Sequence, residues 1–184
     1  KEGKRFQIQV LDVGQGDGIY IESDAGTEIF VDGGSVDVSE VGKYRIRPFL
    51  KSHGVREVDY WFVSHCDADH CNGLMELLET DYPIKHLVFS KYVLRDEAQE
   101  ELAALAKQKG CQVLYMEEGE CFRDTSIRIQ AIYPSEKSVE GERNADSLVL
   151  LLEHGNFHGL LTGDIGSEQE KKLIETYGEV CDSR

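Results

Sequence analysis

The feature that most constrains this chain is a run of six residues in which metal-binding side chains are concentrated. Two histidines and two aspartates occur within it, in the order His65-Cys66-Asp67-Ala68-Asp69-His70. The run follows a largely apolar stretch of strand length, residues 59–64, so its carboxylates stand at the mouth of a predicted buried strand. Negative charges crowded there cost free energy unless cations neutralise them. We therefore predict a metal site, in preference to a polar loop in which these residues coincide by chance.

The spacing of these side chains indicates more than one metal position. In an extended segment residues 65, 67 and 69 share one face, whereas the adjacent Asp69 and His70 diverge. Structural zinc closes four ligands around one ion, while catalytic metal pairs lie about 3.5 to 4 Å apart and activate a water. The pattern therefore favours a catalytic pair of ions. Cys66 and Cys71 are alternative thiolate ligands, although small buried thiols are also ordinary core residues.

Length and composition limit the remaining possibilities. A chain of 184 residues is long enough for one core and too short for two well-built domains, so we predict a single domain over residues 1–184. A formal net charge of -15 excludes a generally basic nucleic-acid-binding protein. No apolar run reaches the roughly 18 residues that a membrane helix needs. The five scattered cysteines are typical of a reducing compartment such as the cytoplasm. The alternative location is a domain attached to a membrane protein.

Hydrophobic patterns predict a mixed α/β (α+β) fold of sheets covered by helices. The predicted strands cover residues 6–10, 19–22, 28–31, 59–64, 85–89, 112–116, 126–132, 147–153 and 157–162. The predicted helices cover residues 48–51, 73–79, 94–109 and 167–177. Several of the connections are hairpins, so a purely parallel, doubly wound sheet is not expected.

Basic charge is concentrated in one segment of this acidic chain. Residues 43–56 contain no acid and five basic residues, namely Lys43, Arg45, Arg47, Lys51 and Arg56. One interpretation is a solvated face in which the excess has no function. The other is a patch that receives an anionic substrate near the metals, with Lys43, Arg45 and Arg47 as substrate-binding residues.

Five motifs occur in an order that resembles the metallo-β-lactamase superfamily. They are Asp12-Val13-Gly14-Gln15-Gly16-Asp17, Asp32-Gly33-Gly34, the run from Ser64 to Gly73, Asn144-Ala145-Asp146-Ser147-Leu148-Val149-Leu150 and Thr162-Gly163-Asp164. More narrowly, they resemble the ComEC type, the lactamase-like domain of the bacterial competence DNA-uptake protein. The resemblance covers roughly residues 6–177. It implies an αββα sandwich with metal ligands on loops at one edge of the two sheets.

The same resemblance implies a role for each site residue. His65 and Asp67 would bind a first ion, Asp69 and His70 a second, and Asp164 would bridge the two. Asp69 is also the predicted catalytic residue, while Asp32 and Asn144 would lie behind the ligands and orient them. Asp67 stands where zinc-binding relatives usually carry His, and a carboxylate hardens the site. Two divalent ions are therefore expected, with Mn favoured over Zn and with Mg or Fe as alternatives.

The sequence departs from this pattern at its end. Relatives usually continue past the Gly-Asp loop to a further His ligand in a His-His-Gly-Ser stretch, and this sequence reaches Arg184 without one. The resemblance thus implies that the C-terminal portion of the sandwich is missing, or that another chain supplies it.

Three functions remain open at this point. The first is a metal-dependent hydrolase of phosphodiesters, a nuclease related to competence DNA uptake, with single-stranded DNA or a nucleotide as substrate and a membrane-anchored parent chain. The second is an ester, thioester or lactam hydrolase of the same fold, because fold alone does not select the bond that is cleaved. The third is a non-catalytic metal- or DNA-binding domain of a larger protein.

Overall fold

The first β-sheet contains six strands that neighbour one another in sequence order. The computed structural model describes residues 5–92, 96–139 and 141–181, and of residues 179–181 only the backbone. The strands are β1 Gln7–Val10, β2 Gly18–Glu22, β3 Glu28–Asp32, β4 Val58–Phe62, β5 Ile84–Ser90 and β6 Gln112–Met116. β1, β2 and β3 pair antiparallel, as expected for strands joined by hairpins, whereas β3 to β6 pair parallel.

The second sheet contains four antiparallel strands in the order β10-β9-β8-β7. They are β7 Cys121–Arg123, β8 Arg128–Tyr133, β9 Val149–His154 and β10 Phe157–Leu161. A register irregularity between Ala131 and Tyr133 interrupts the pairing of β8 with β9. Because β9 and β10 pair antiparallel, the carboxyl end of β10 and the start of β9 lie at the same edge of this sheet.

Four α-helices cover the outer faces. A π-helical turn, Gly42–Ile46, runs directly into α1, Arg47–Ser52, and is followed by α2 Ala68–Glu79, α3 Glu97–Gln108 and α4 Ser167–Cys181. Pro48 lies in the first turn of α1, and without an N–H it cannot continue the hydrogen bonding of the π-helical turn, in which the Arg47 N–H donates to the Gly42 carbonyl. Within the residues that the structure describes, no helix combines the length and the apolar character of a membrane span.

The apolar core consists of three layers, and β4 shows how they alternate. Trp61 packs with the helices on the outside of the first sheet, whereas Phe62 packs against the second sheet. Successive side chains of a strand point to opposite faces, so a strand buried on both faces needs a continuous apolar run. A third layer, which includes Val149 and Leu173, lies between the second sheet and α4. The predicted αββα sandwich is therefore confirmed.

Two element predictions were wrong, and one lies outside the described residues. The three-residue strand β7 was not predicted, because so short a run carries no periodicity. Helix α2 begins at Ala68 and not at residue 73, so the assumption of an extended segment through Asp69 fails. The carbonyl of Asp67 accepts the N–H groups of His70 and Cys71 and starts the helix there. The predicted helical start at residues 94–95 falls outside the described chain.

Candidate metal centre

The candidate centre lies at the edge where the carboxyl ends of two parallel strands meet. Asp32 ends β3, and Ser64 and His65 follow β4, its parallel neighbour. The second sheet reaches the same edge, since the carbonyl of Ser64 accepts the N–H of Leu148 at 2.9 Å. Gly163, after β10, has a φ of 54°, and a Cβ there would lie 2.8 Å from the Ser64 Cβ. The sheets therefore approach closely enough for loops from both to share one site.

Asp32 orients the groups around it through both carboxylate oxygens. Its Oδ1 accepts the backbone N–H of Ser64 at 2.7 Å, and its Oδ2 accepts the Ser64 hydroxyl at 2.8 Å. Oδ2 also lies 3.1 Å from His70 Nδ1. With a φ of 58°, Asp32 adopts the left-handed conformation that Asp tolerates better than most residues. A buried carboxylate bonded in this way is suited to holding an imidazole in place.

His65 presents a buried ring nitrogen with its lone pair unused. Its Nδ1 lies 3.0 Å from the Ser64 Oγ and 3.3 Å from the Ser147 Oγ. The Ser64 hydroxyl already donates to Asp32, so we assign the Nδ1–H as the donor to Ser64. Nε2 is buried and has no hydrogen-bond partner in the part of the chain that the structure describes. Burial, and then the charge of His70, lower the pKa of His65 and favour the neutral, metal-binding imidazole.

Asp67 occupies the position at which an aspartate normally caps a helix, but its side chain does not cap α2. Capping at such a position is typically worth about 1 kcal/mol, so the carboxylate is held elsewhere at some cost. Oδ1 accepts from Arg143 Nη1 at 2.6 Å, and Oδ2 lies 3.6 Å from His65 Nε2. Local helix preference is thus overridden at a residue that the sequence predicts to be a ligand.

His70 lies among carboxylates on both sides of its ring. Nδ1 contacts Asp32 and lies 3.9 Å from the Asp17 Oδ2, while Nε2 lies 3.4 Å from the Asp164 Oδ1. Burial works to lower the pKa of His70, but the hydrogen bond to Asp32 and the charges of Asp32, Asp164 and Asp17 outweigh it and raise the pKa to about 9. Burial and the charge of Asp32 also raise the pKa of Asp17. The carboxylates around His70 carry an excess of negative charge that a bound cation would neutralise.

Among the residues that the structure describes, two groups of potential ligand atoms overlap at His70. In the first, single ligand atoms of His65, His70 and Asp164 all lie within 4.8 Å of one another, and the second consists of Asp17, Asp32 and His70. In the second group, Asp32 lies within hydrogen-bond distance of His70 Nδ1. We therefore interpret its carboxylates as groups that orient the His70 ring, and not as metal ligands. The first group, with the unpartnered His65 Nε2, fits a metal ion. Imidazole and carboxylate donors suit Zn, Fe or Mn.

The other predicted site residues lie around this group. Asp69 is in the first turn of α2 and half-buried, and its carbonyl accepts the N–H of Asp17 at 3.1 Å. Its side chain belongs to neither ligand group among the described residues. Asn144 is exposed in a turn, where its carbonyl accepts the N–H of Ser147. The roles predicted for Asp69 and Asn144 stay predictions.

The basic segment packs beside the helix that carries Asp69 and His70. A Cβ on Gly42 would lie 2.3 Å from the Gly73 carbonyl oxygen, so the π-helical turn contacts the backbone of α2. Lys43 and Arg45 are exposed and Arg47 is half-buried. Lys43 Nζ lies 2.7 Å from the Glu40 Oε1. Substrate binding by these three residues remains a prediction.

Sequence reasoning missed Arg143 and the two serines that contact His65. Arg143 stands next to the Asn144 motif, but an arginine in an acidic loop carries no distinguishing pattern. Its partner Asp67 is 76 residues away in the chain, so only the folded sheets bring them together. Ser64 and Ser147 both lie within the five motifs, so the sequence does carry a signal for hydrogen-bonding partners of the predicted ligand His65.

Comparison with known proteins gives relatives of low sequence identity. The sequence matches no model of a known protein family. It is 24% identical over 187 residues to ComE operon protein 3 of Bacillus subtilis, covering 95% of this chain and 24% of that protein. It is 26% identical over 171 residues to competence protein ComA of Neisseria gonorrhoeae, covering 93% and 21%. The chain thus spans less than a quarter of the length of these two relatives.

Solved structures share the fold at still lower identity. A metallo-β-lactamase from Staphylococcus aureus superposes with a TM-score of 0.60 at 13% identity, over 99% of this chain and 53% of that one. Zn²⁺-bound PqqB from Methylobacterium extorquens has a TM-score of 0.58 at 12% identity, over 85% and 56%. CmlA, a diiron β-hydroxylase from Streptomyces venezuelae, has a TM-score of 0.57 at 16% identity, over 95% and 33%.

These findings define the class of the protein. The layered sheets, and the imidazoles and carboxylates at their shared edge, are those of a protein with the metallo-β-lactamase fold. The structural neighbours with this fold include a Zn²⁺-bound protein and a diiron enzyme. Within the fold, the sequence is similar to the ComEC-type competence proteins, as its motifs predicted.

Proposed function

We propose that this chain is a metal-dependent phosphodiesterase that hydrolyses single-stranded DNA with two divalent ions, Mn²⁺ being preferred. The observation that carries the proposal is the buried His65 Nε2, which has no hydrogen-bond partner in the described chain and belongs to one ligand group with His70 and Asp164. A buried polar atom without a partner is costly unless a ligand satisfies it.

The donor set fits metal ions of intermediate to hard character. His65 and His70 offer one ring nitrogen each, and Asp67 and Asp164 offer carboxylate oxygens beside them. Asp69 lies one residue before His70 in the first turn of α2 and is proposed as the further ligand of the second ion. When bound, a pair of divalent ions activates water and neutralises the charge that develops on a phosphodiester.

The protein's own residues hold this set in place and bring the substrate to it. Ser64 and Asp32 contact the Nδ1 atoms of His65 and His70 and fix the orientation of the two rings, which leaves the Nε2 atoms to bind metal. Lys43 and Arg45 provide local positive charge beside α2, in a molecule whose net charge of -15 repels a polyanion. The phosphate chain is therefore expected to approach along the basic segment.

DNA is preferred as the substrate because of the relatives. The chain is similar to proteins named for competence, and a third relative is Recombination protein 2 of Haemophilus influenzae, 24% identical over 175 residues. It spans between 20% and 24% of the three proteins, so their whole activities are not transferred with the resemblance.

The test is hydrolysis of a labelled single-stranded oligonucleotide in Mn²⁺. We expect wild-type protein to cleave it and Asp164→Asn to lose at least about 100-fold in rate, since a carboxylate ligand becomes a neutral amide. Asp81→Asn is the matched control, because Asp81 is 79% exposed and pairs with Lys109 at the far end of α2. It is expected to retain the wild-type rate.

The same assay distinguishes the other chemistries. Equal rates for wild type and Asp164→Asn would exclude this site as the source of DNA cleavage. Zinc-dependent cleavage of small esters or thioesters, with no action on DNA, would assign the centre to another hydrolase. No hydrolysis of any of these substrates by metal-loaded protein would leave a binding domain.

A further inference from the structure

Arg143 connects the candidate metal centre to the start of α3. Its Nη1 donates to the Asp67 Oδ1 at 2.6 Å, and its Nε forms an ion pair with the Asp96 Oδ2. Asp96 is the N-cap of α3, where its Oδ1 accepts the N–H of Gln99 at 3.0 Å. The Arg143 side chain is 37% exposed. The guanidinium is therefore held between two carboxylates that belong to different elements.

This contact divides the two oxygens of Asp67 between different partners. Oδ1 is occupied by Arg143, while Oδ2 lies 3.6 Å from His65 Nε2, the buried nitrogen that has no partner among the described residues. Asp67 Oδ2 and His65 Nε2 are thus the two atoms placed together for one ion. The planar guanidinium suits this task, because its donors have fixed directions.

We propose that Arg143 is a positioning residue that makes Asp67 a ligand through Oδ2 alone. The guanidinium also offsets part of the negative charge of Asp67, although it is shared with Asp96. The inference rests on the metal-dependent function proposed above and deepens it. It assigns a role to a residue outside the ligand set.

The alternative position of the Asp67 side chain explains why Arg143 is needed. Asp67 is the N-cap of α2, and an aspartate there normally turns toward the N–H groups of the first helical turn. Without Arg143, the carboxylate is free to make that turn and leave His65 Nε2. Loss of a group that orients a metal ligand typically costs about 10- to 100-fold in metal affinity.

The test is Mn²⁺ affinity measured by titration calorimetry on the whole chain. Arg143→Met is expected to bind the ion adjoining Asp67 about 10-fold more weakly than wild type. Arg143→Lys should restore part of this loss, because an ammonium can reach Asp67 but cannot hold Asp67 and Asp96 together. If Arg143 acted only as a positive charge that repels the metal ion, its removal would tighten metal binding. The direction of the change in affinity therefore distinguishes positioning from charge repulsion.

Two further variants keep the test independent of folding and of activity. Arg128→Met removes another half-buried arginine paired with an acid, Glu153, at the far end of β9, and should leave affinity unchanged. Asp96→Asn retains a good helix cap but weakens the hold on Arg143, and should reduce affinity by a smaller factor. Arg143→Met with wild-type or tighter Mn²⁺ binding would overturn the inference. If the melting curve shows that Arg143→Met does not fold, an unchanged Mn²⁺ affinity in Asp96→Asn would overturn the inference.

Affinity is measured without a substrate. Failure of DNA cleavage and failure of this inference are therefore separate results.

Discussion

At Gly34, the loop after β3 has no space for a side chain. A Cβ atom there would lie 2.3 Å from the Asp69 carbonyl carbon and 2.5 Å from the Ala68 oxygen and the His70 nitrogen. All three atoms are backbone, so no side-chain rotation relieves the contact. The first turn of α2, which carries Asp69 and His70, is therefore positioned by direct contact with the loop after β3.

Gly34→Ala is predicted to weaken both the fold and the metal centre. The added methyl displaces the backbone of α2, and overpacking of this kind costs about 1–3 kcal/mol. Denaturant unfolding should show the loss of stability, and Mn²⁺ titration should show weaker binding. Gly178→Ala in α4 is the matched control, because its nearest contact is the Ile174 Cγ2 at 3.6 Å. The control should be neutral or stabilising; equal effects of both changes would contradict the role given to Gly34.

The candidate ligands were easier to identify from the sequence than the contacts that orient them. His65, His70 and Asp164 each follow a recognisable motif, and they meet because their loops leave the two sheets at the same edge. The ion pair of Asp67 with Arg143 depends on a turn whose place is set only by the folded sheets. Such long-range side-chain contacts leave no local pattern in a sequence.

Asp124 joins hairpins of the two sheets to each other. Its Oδ2 accepts the hydroxyls of Ser23 at 2.6 Å and Thr27 at 2.8 Å, both in the β2–β3 hairpin. Its Oδ1 accepts the N–H groups of Ser126 at 2.7 Å and Ile127 at 2.9 Å, between β7 and β8. Burial works to raise the pKa of Asp124, but these hydrogen bonds outweigh it and hold the pKa well below its ordinary value.

Acid is therefore predicted to remove the stabilisation that Asp124 provides. Because the pKa is lower in the folded state, the contribution is complete above the unfolded pKa of about 3.9 and is lost as the pH falls below it. Asp124→Asn should lower the free energy of unfolding by about 2 kcal/mol at pH 7, and by less at pH 3. Urea unfolding of both proteins at the two pH values measures this. A difference in unfolding free energy that is the same at both pH values would contradict it.

Elements with clear periodicity were predicted well, and the boundaries at the site were not. The apolar run of β4 and the amphipathic α3 are present close to their predicted bounds. The start of α2 was placed five residues too late, at residue 73 and not at Ala68. The polar residues there were interpreted as a loop because the predicted ligands Asp69 and His70 occupy the helix's first turn. Requirements of the site thus override the pattern that normally marks a helix start.

For the molecule as a whole, we expect metal binding and folding to be linked. His65 follows β4 of the first sheet, and Asp164 follows β10 of the second, so one ligand group requires both sheets to be in place. An unfolded chain cannot present these atoms together, and a metal that binds only the folded form stabilises it. The order of the motifs predicted this layered fold, whereas the charge of -15 alone excluded only a generally basic nucleic-acid-binding protein.

We predict that these imidazoles and carboxylates form a metal centre. The most direct test compares the melting temperature of the protein in Mn²⁺ with its melting temperature in a chelator. At a free ion concentration 100 times Kd, binding adds about 2.7 kcal/mol, which for a chain of this size raises the melting temperature by about 5–10 °C. We predict that shift for wild type and Asp81→Asn, and less than half of it for Asp164→Asn. No shift in wild type, or an equal shift in Asp164→Asn, would contradict the claim.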